Sequence, residues 1–243
     1  MIGPHGSPGK LISSSAGFPV RVSPNILAVV IQALKKAWVE ICADPLKHLA
    51  PATPGNPEED RYTDAICELL LYYLRDPSLP VNGFTSDVFE GVERGPNIQN
   101  FNSGAINKQP DLVIRLANSP LFNTRRYVGI FAEAKVVSKK KALSNYTQQG
   151  ISRFVQGDYA WAMQDGLMIA YRKQPVRQVD ALDASLKKDL SLFTKQENSK
   201  HLVQSNLPIP ACGKSTHERQ WVYQAGGVPG EIRLWHLWTF DIP

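Results

Sequence analysis

The chain has 243 residues, of which 43% are hydrophobic and 20% charged, and its mean hydropathy is −0.24. That is enough chain for one well-buried core, and the composition excludes a fibrous, collagen-like or disordered protein. The net charge of +5 and the pI of about 9.1 suit a polyanionic partner, although a solvated basic face reads the same way.

Residues 1–22, rich in Gly, Pro and Ser, read as a loosely ordered arm, with a single domain over 23–243. Ser23-Pro24-Asn25 offers a cap with Pro in the first turn, and Ile26, Val29, Val30, Ala33, Leu34, Ala37 and Trp38 recur at helical spacing until Asp44-Pro45. The longest apolar run, residues 26–33, falls short of the roughly 20 residues that span a bilayer. It also starts too late for a secretion leader and lacks the flanks of one, so the expectation is a cytoplasmic protein with no membrane partner. Cys42, Cys67 and Cys212 form no CxxC pair and read as reduced thiols, Cys67 as core packing.

A second helix is expected from Asn56-Pro57 to about Arg75, with Glu58, Glu59 and Asp60 in its first turn, where carboxylates suit the helix dipole. Strands are expected over 84–92, 111–116 and 127–137, the last two as a hairpin. A helix over 144–163, with Ile151, Phe154 and Val155 inward, a buried strand over 166–171 and a helix over 180–195 follow. Residues 196–230 read as polar and Gly/Pro-punctuated, and 232–242 as a Trp-rich final strand. The order predicts an α/β fold, a central mixed sheet flanked by helices.

Two short motifs stand on consecutive predicted strands, Pro110-Asp111 and Glu133-Ala134-Lys135, with Asp111 and Glu133 22 residues apart. Glu133 and Lys135, at i and i+2, leave one face of their strand, while Val128, Ile130, Ala132, Ala134 and Val136 leave the other. A hairpin can bring Asp111 beside Glu133, and two adjacent carboxylates repel unless a cation sits between them. Hard oxygen ligands suit Mg²⁺ or Mn²⁺, which polarises a phosphate and acidifies a bound water, while Lys135 neutralises developing charge or positions that water. The bland alternative is that Asp111 caps a turn and Glu133 and Lys135 form an exposed cross-strand pair.

The P-D-x(10–30)-[DE]-x-K pattern, the preceding acidic helix, the strand order, the small residues around Glu133 and the buried strand after it resemble the PD-(D/E)XK nuclease superfamily over residues 56–173. The resemblance implies a restriction-endonuclease-like core with a C-terminal extension over 174–243. It further implies a metal-dependent endonuclease acting on DNA in preference to RNA, in restriction, repair or phage defence. A homodimer or a subunit of a larger defence complex would fit. The rival is a catalytically silent nucleic-acid-binding or scaffold subunit that keeps the fold.

The family usually adds an acidic residue from the preceding helix. Glu59 shares a helical stripe with Thr63, Ile66, Leu70 and Tyr73, whereas Glu68 points away. Glu59 is therefore the choice as auxiliary metal ligand, with Glu58 in reserve, and the alternative is that Glu59 closes a capping box with Asn56. The resemblance also nominates Gln149 and Arg153, which share a face at i and i+4, as phosphate contacts, with Lys139, Lys140 and Lys141 as an electrostatic lip.

Other signals fail. Gly213-Lys214-Ser215-Thr216 lacks the earlier Gly of a phosphate-binding loop, since position 208 is Pro. Cys212 and His217-Glu218 lack ligand spacing and read as a solvated loop, and His236 as a satisfied sheet histidine. Ser13, Ser14 and Ser15 find no partner base.

Overall fold

The computed structural model describes residues 18–102, 108–117, 127–138, 143–172, 179–204, 212–223 and 226–238. Within them a seven-stranded mixed sheet runs in the order β1-β2-β3-β4-β7-β6-β5. The strands are β1 (Phe89–Arg94), β2 (Leu112–Leu116), β3 (Ile130–Val137), β4 (Asp165–Arg172), β5 (Val203–Gln204), β6 (Cys212–Glu218) and β7 (Glu231–Trp238). β1, β2 and β3 are antiparallel, β3, β4 and β7 are mutually parallel, and β7, β6 and β5 are antiparallel again.

Helices α1 (Pro24–Ala43), α2 (Pro45–His48) and α3 (Glu58–Arg75) precede the sheet. Trp38 of α1 stacks on Tyr171 of β4 at 5.2 Å, and Thr63 Oγ1 of α3 lies 3.0 Å from the same tyrosine's hydroxyl, so these helices cover one face. The other face carries the crossover from β3 to β4, which parallel pairing requires to be long. It consists of α4 (Leu143–Tyr146), a π-helical turn (Thr147–Ile151) and α5 (Ser152–Val155). Gly150 and Gly166 let this crossover sit close to the sheet, since an added Cβ would meet Met168 Cε at 2.6 Å and Phe154 Cε1 at 2.6 Å respectively. α6 (Val179–Lys188) and a 3₁₀ turn (Leu190–Leu192) follow β4.

Several expectations move. The first strand begins at Phe89 rather than at residue 84, because the amides of Val88 and Phe89 turn back onto the Thr85 carbonyl. The crossover helix stops at Val155, short of 163, because Gly157 adopts φ +74 and the amide of Asp158 closes on the Arg153 carbonyl. Residues 18–22 are not a loose arm: Phe18 and Val22 are buried, and Val20 pairs with Met163. The last strand ends at Trp238, and residues 239–243, like 1–17, lie outside the described ones.

The largest correction concerns residues 196–230, which hold strands β5 and β6. His217 is fully buried rather than solvated. Its Nδ1 donates to the Leu192 carbonyl (2.9 Å), which leaves Nε2 to accept from Ser215 Oγ (2.7 Å). Ser215 then accepts from His236 Nε2 (2.7 Å), whose Nδ1 accepts from the Tyr146 hydroxyl (2.9 Å). Every member is satisfied, so this polar chain can be buried between β6, β7 and α4. Burial lowers both histidines, His217 to about 4 and His236 to about 3, and both stay neutral. Cys42 and Cys67 are free thiols, Cys67 buried. No described helix is long and apolar enough to cross a membrane.

Candidate active site

β3 outlasts β2. Their pairing ends at Leu112 opposite Ala132, so the next residues on each strand are Asp111 and Glu133, whose side chains leave the same face. Past that point the amides of Ala134 and Val136, both directed at the vacated edge by the period of two, have no strand to bond. Two carboxylates replace it: Asp111 Oδ2 accepts from the Ala134 amide at 2.7 Å, and Glu59 Oε2 accepts from the Val136 amide at 2.9 Å. The end of β3 thereby draws Asp111, just before β2, and Glu59, in the first turn of α3, toward one spot.

Lys135 occupies that spot. Its Nζ lies 2.8 Å from Glu133 Oε1, 3.1 Å from Glu59 Oε1 and 3.6 Å from Asp111 Oδ2, and it donates to the Ala134 carbonyl at 2.7 Å. Glu133 is 0% exposed and Lys135 8%. The exposed-pair alternative therefore fails, and so does the capping-box reading of Glu59, because Pro57 is the N-cap of α3 and the Glu59 carboxylate is spent on β3. Glu58 instead accepts from the Tyr62 hydroxyl at 3.1 Å.

Glu133 is held from the opposite side as well. Arg153 of α5 donates to Oε1 at 2.9 Å, and the buried Tyr159 hydroxyl donates to Oε2 through a short hydrogen bond. Arg153 reaches the site and Gln149 is exposed, although an undistorted helix would put them on one face. Gln149 itself lies within the π-helical turn, which departs from the regular wheel. Lys139, Lys140 and Lys141 lie outside the described residues.

Two further residues were not legible as site members. Arg94, the last residue of β1, donates to Asp60 (2.6 Å) and Asp64 (2.7 Å) of α3 and to the Asp111 carbonyl (3.1 Å). Tyr159 sits where a continuous helix was expected, and only Gly157 hinted that the chain turns there.

Burial, with the neighbouring Asp111 carboxylate, pushes Glu133 up to about 7 against the pull of Lys135 and Arg153. Burial pulls Lys135 down, but the carboxylates of Glu133, Asp111 and Glu59 outweigh it and hold the ammonium above its ordinary value. A carboxyl that binds its proton more tightly when folded contributes stability that is complete below its unfolded value of 4.5 and is lost as pH rises toward 7. Metal-free protein should therefore lose stability across that window in urea titrations, and Glu133→Gln should flatten the slope. An unchanged slope in Glu133→Gln would show that Glu133 is not the titrating group.

Among the described residues no three His, Cys, Asp or Glu side chains are arranged to hold a metal ion by themselves. The donor chemistry nevertheless suits a hard cation: carboxylate oxygens of Asp111, Glu133 and Glu59 all face one cationic position, now taken by Lys135. Comparison with protein-family models, with curated proteins and with solved structures found no match to this chain.

Proposed function

We propose that this chain is a Mg²⁺- or Mn²⁺-dependent nuclease that hydrolyses phosphodiester bonds, DNA in preference to RNA, with a restriction-endonuclease-like core. The observation that carries this reading is the convergence of Asp111, Glu133 and Glu59 on Lys135 where β3 outlasts β2. Capping the two free amides of β3 accounts for Asp111 and Glu59 but not for Glu133 and Lys135 buried beside them, whose desolvation is costly.

Asp111 and Glu133 would hold the ion, with Glu59 as auxiliary; one or two carboxylates, completed by water and phosphate, are what Mg²⁺ commonly takes. The bound ion would polarise the scissile phosphate and lower the pKa of a water. Lys135, almost wholly removed from solvent, opposes developing negative charge more strongly than an exposed ammonium could. Arg153 fixes Glu133 through one nitrogen and, with 41% of its side chain exposed, keeps further N–H donors for a phosphate. Lys139, Lys140 and Lys141 would add sequence-independent attraction to the backbone. Pairing of two chains, or a place in a restriction, repair or defence assembly, is argued by family analogy.

The test is to incubate the full chain with duplex, single-stranded and branched DNA and with RNA, with and without Mg²⁺, beside Asp111→Asn. The expected result is Mg²⁺-dependent DNA cleavage that Asp111→Asn loses. Binding without cleavage under every condition would make the chain a scaffold subunit, and cleavage of RNA alone would move the substrate.

A further inference from the structure

Phe101 and Trp221 lie stacked, ring centroids 4.2 Å apart and planes 21° from parallel, and both stay partly exposed. They rest on Gly157, where an added Cβ would meet Phe101 Cδ1 at 2.8 Å and Trp221 Cε2 at 2.8 Å. With φ +74 as well, that position strongly favours glycine, and the missing side chain lets the pair sit directly on the backbone. Both rings are tied to the crossover: the Phe101 amide donates to the Gly157 carbonyl (3.2 Å), and Trp221 Nε1 donates to the Val155 carbonyl (3.0 Å). The same short stretch carries Arg153 and Tyr159, which hold Glu133. Trp221 also has the Arg219 guanidinium over its ring at 5.3 Å and meets Tyr223 edge to face. Phe101 has no other ring contact among the described residues, so it is the layer left to take a further ring.

We propose that Phe101, backed by Trp221, is a stacking platform for an unpaired nucleobase of the substrate strand. A nucleic acid with a single-stranded or splayed nucleotide beside the cut is then bound in preference to continuous duplex. This deepens the nuclease reading and rests on it. Inside a duplex each base is covered on both faces by its neighbours, and only an unpaired or terminal base offers a face to a side chain. Trp161 and Tyr223, the next rings of this cluster, are buried, so the cluster reaches solvent at Trp221 and Phe101. Cations for the strand's phosphates stand beside it: Lys108, 38% exposed and 2.9 Å from Asp158, and Arg153, 41% exposed. A strand whose phosphate meets Arg153 thus reaches the aromatic pair over the few residues from 153 to 157. Every base has a π-face, so such a platform selects strandedness and not sequence.

The test compares two ligands of the full chain in Mg²⁺, both with hydrolysis-resistant phosphorothioate linkages. One is a duplex with a short single-stranded tail, and the other is the same duplex with abasic residues throughout the tail. The two carry the same charge and differ only in bases. By fluorescence anisotropy the base-bearing tail should bind at least about fivefold more tightly, the lower end of what one base–aromatic stack supplies. Phe101→Leu should erase that difference, and Phe101→Tyr, which keeps the ring, should retain it; circular dichroism reports whether each is folded. A 5-iodouridine in the tail, irradiated on the native chain, should crosslink to Phe101. Equal affinity for the two tails, a difference that persists in folded Phe101→Leu, or crosslinks that avoid both Phe101 and Trp221 overturns the platform and leaves the nuclease reading standing. Failure to bind either ligand overturns the nuclease reading and the platform with it. The native-chain crosslink decides the matter even if Phe101→Leu does not fold.

Discussion

Lys135→Met is expected to lower Mg²⁺-dependent cleavage at least about a hundredfold, the scale on which one positioned transition-state donor acts, while nucleic-acid binding changes only a few-fold. The methionine keeps the stem of the lysine, which is buried along β3, and removes only the ammonium. Loss of the ammonium leaves Glu133, Glu59 and Asp111 without their common partner. Glu133 can relieve much of that by keeping its proton, since burial already favours the protonated form. The variant should thus fold at neutral pH and bind metal, yet fail to cut. Single-turnover rates at saturating Mg²⁺, set beside filter-binding affinities, separate the two effects. A rate within about threefold of native would remove Lys135 from the chemistry.

Asp165→Ala is expected to cost about 3 kcal/mol of stability, because it removes the buried member of a part-buried ion pair together with two further hydrogen bonds. Asp165 opens β4 with 0% exposure. Its Oδ2 accepts from the Val22 amide (3.0 Å) and Arg233 Nη2 (2.7 Å), and Oδ1 accepts from Trp235 Nε1 (3.1 Å). One carboxylate therefore ties the segment before α1, β4 and β7 together. Its loss strands a buried amide, an indole N–H and a guanidinium at once. β4 is also the strand against which Glu133 and Lys135 are registered, opposite Met168 and Ala170. Urea unfolding with an unchanged m-value measures the effect. Asp165→Asn, which keeps an acceptor oxygen, should lie between the two. A loss under about 1 kcal/mol in Asp165→Ala would show that the neighbouring strands find other partners.

The half of the sheet that builds the site was legible because its sequence obeys simple periods. Alternation placed Glu133 and Lys135 on one face, and the stripe of Thr63, Ile66, Leu70 and Tyr73 turned α3 the right way, carrying Glu59 to β3. What periodicity could not supply is the reason for the convergence. That reason is a length mismatch between β2 and β3, which frees two amides that carboxylates from elsewhere satisfy. Gln149 is exposed within a π-helical turn, which a regular wheel does not contain, while Arg153 reaches Glu133. β6 was read as a loop because Ser215 and His217 look like surface residues. They are buried only because each meets a partner with the complementary proton, and that partnership is visible only once β6 lies against β7.

The central claim is that Asp111, Glu133 and Lys135 form a phosphodiester-cleaving site. Its most direct test is cleavage of duplex DNA by the full chain with Mg²⁺, with chelator, and with Asp111→Asn under identical conditions. Cutting that requires Mg²⁺ and disappears with Asp111→Asn is the predicted result. Cutting that survives Asp111→Asn unchanged, or DNA bound tightly and never cut, would contradict it.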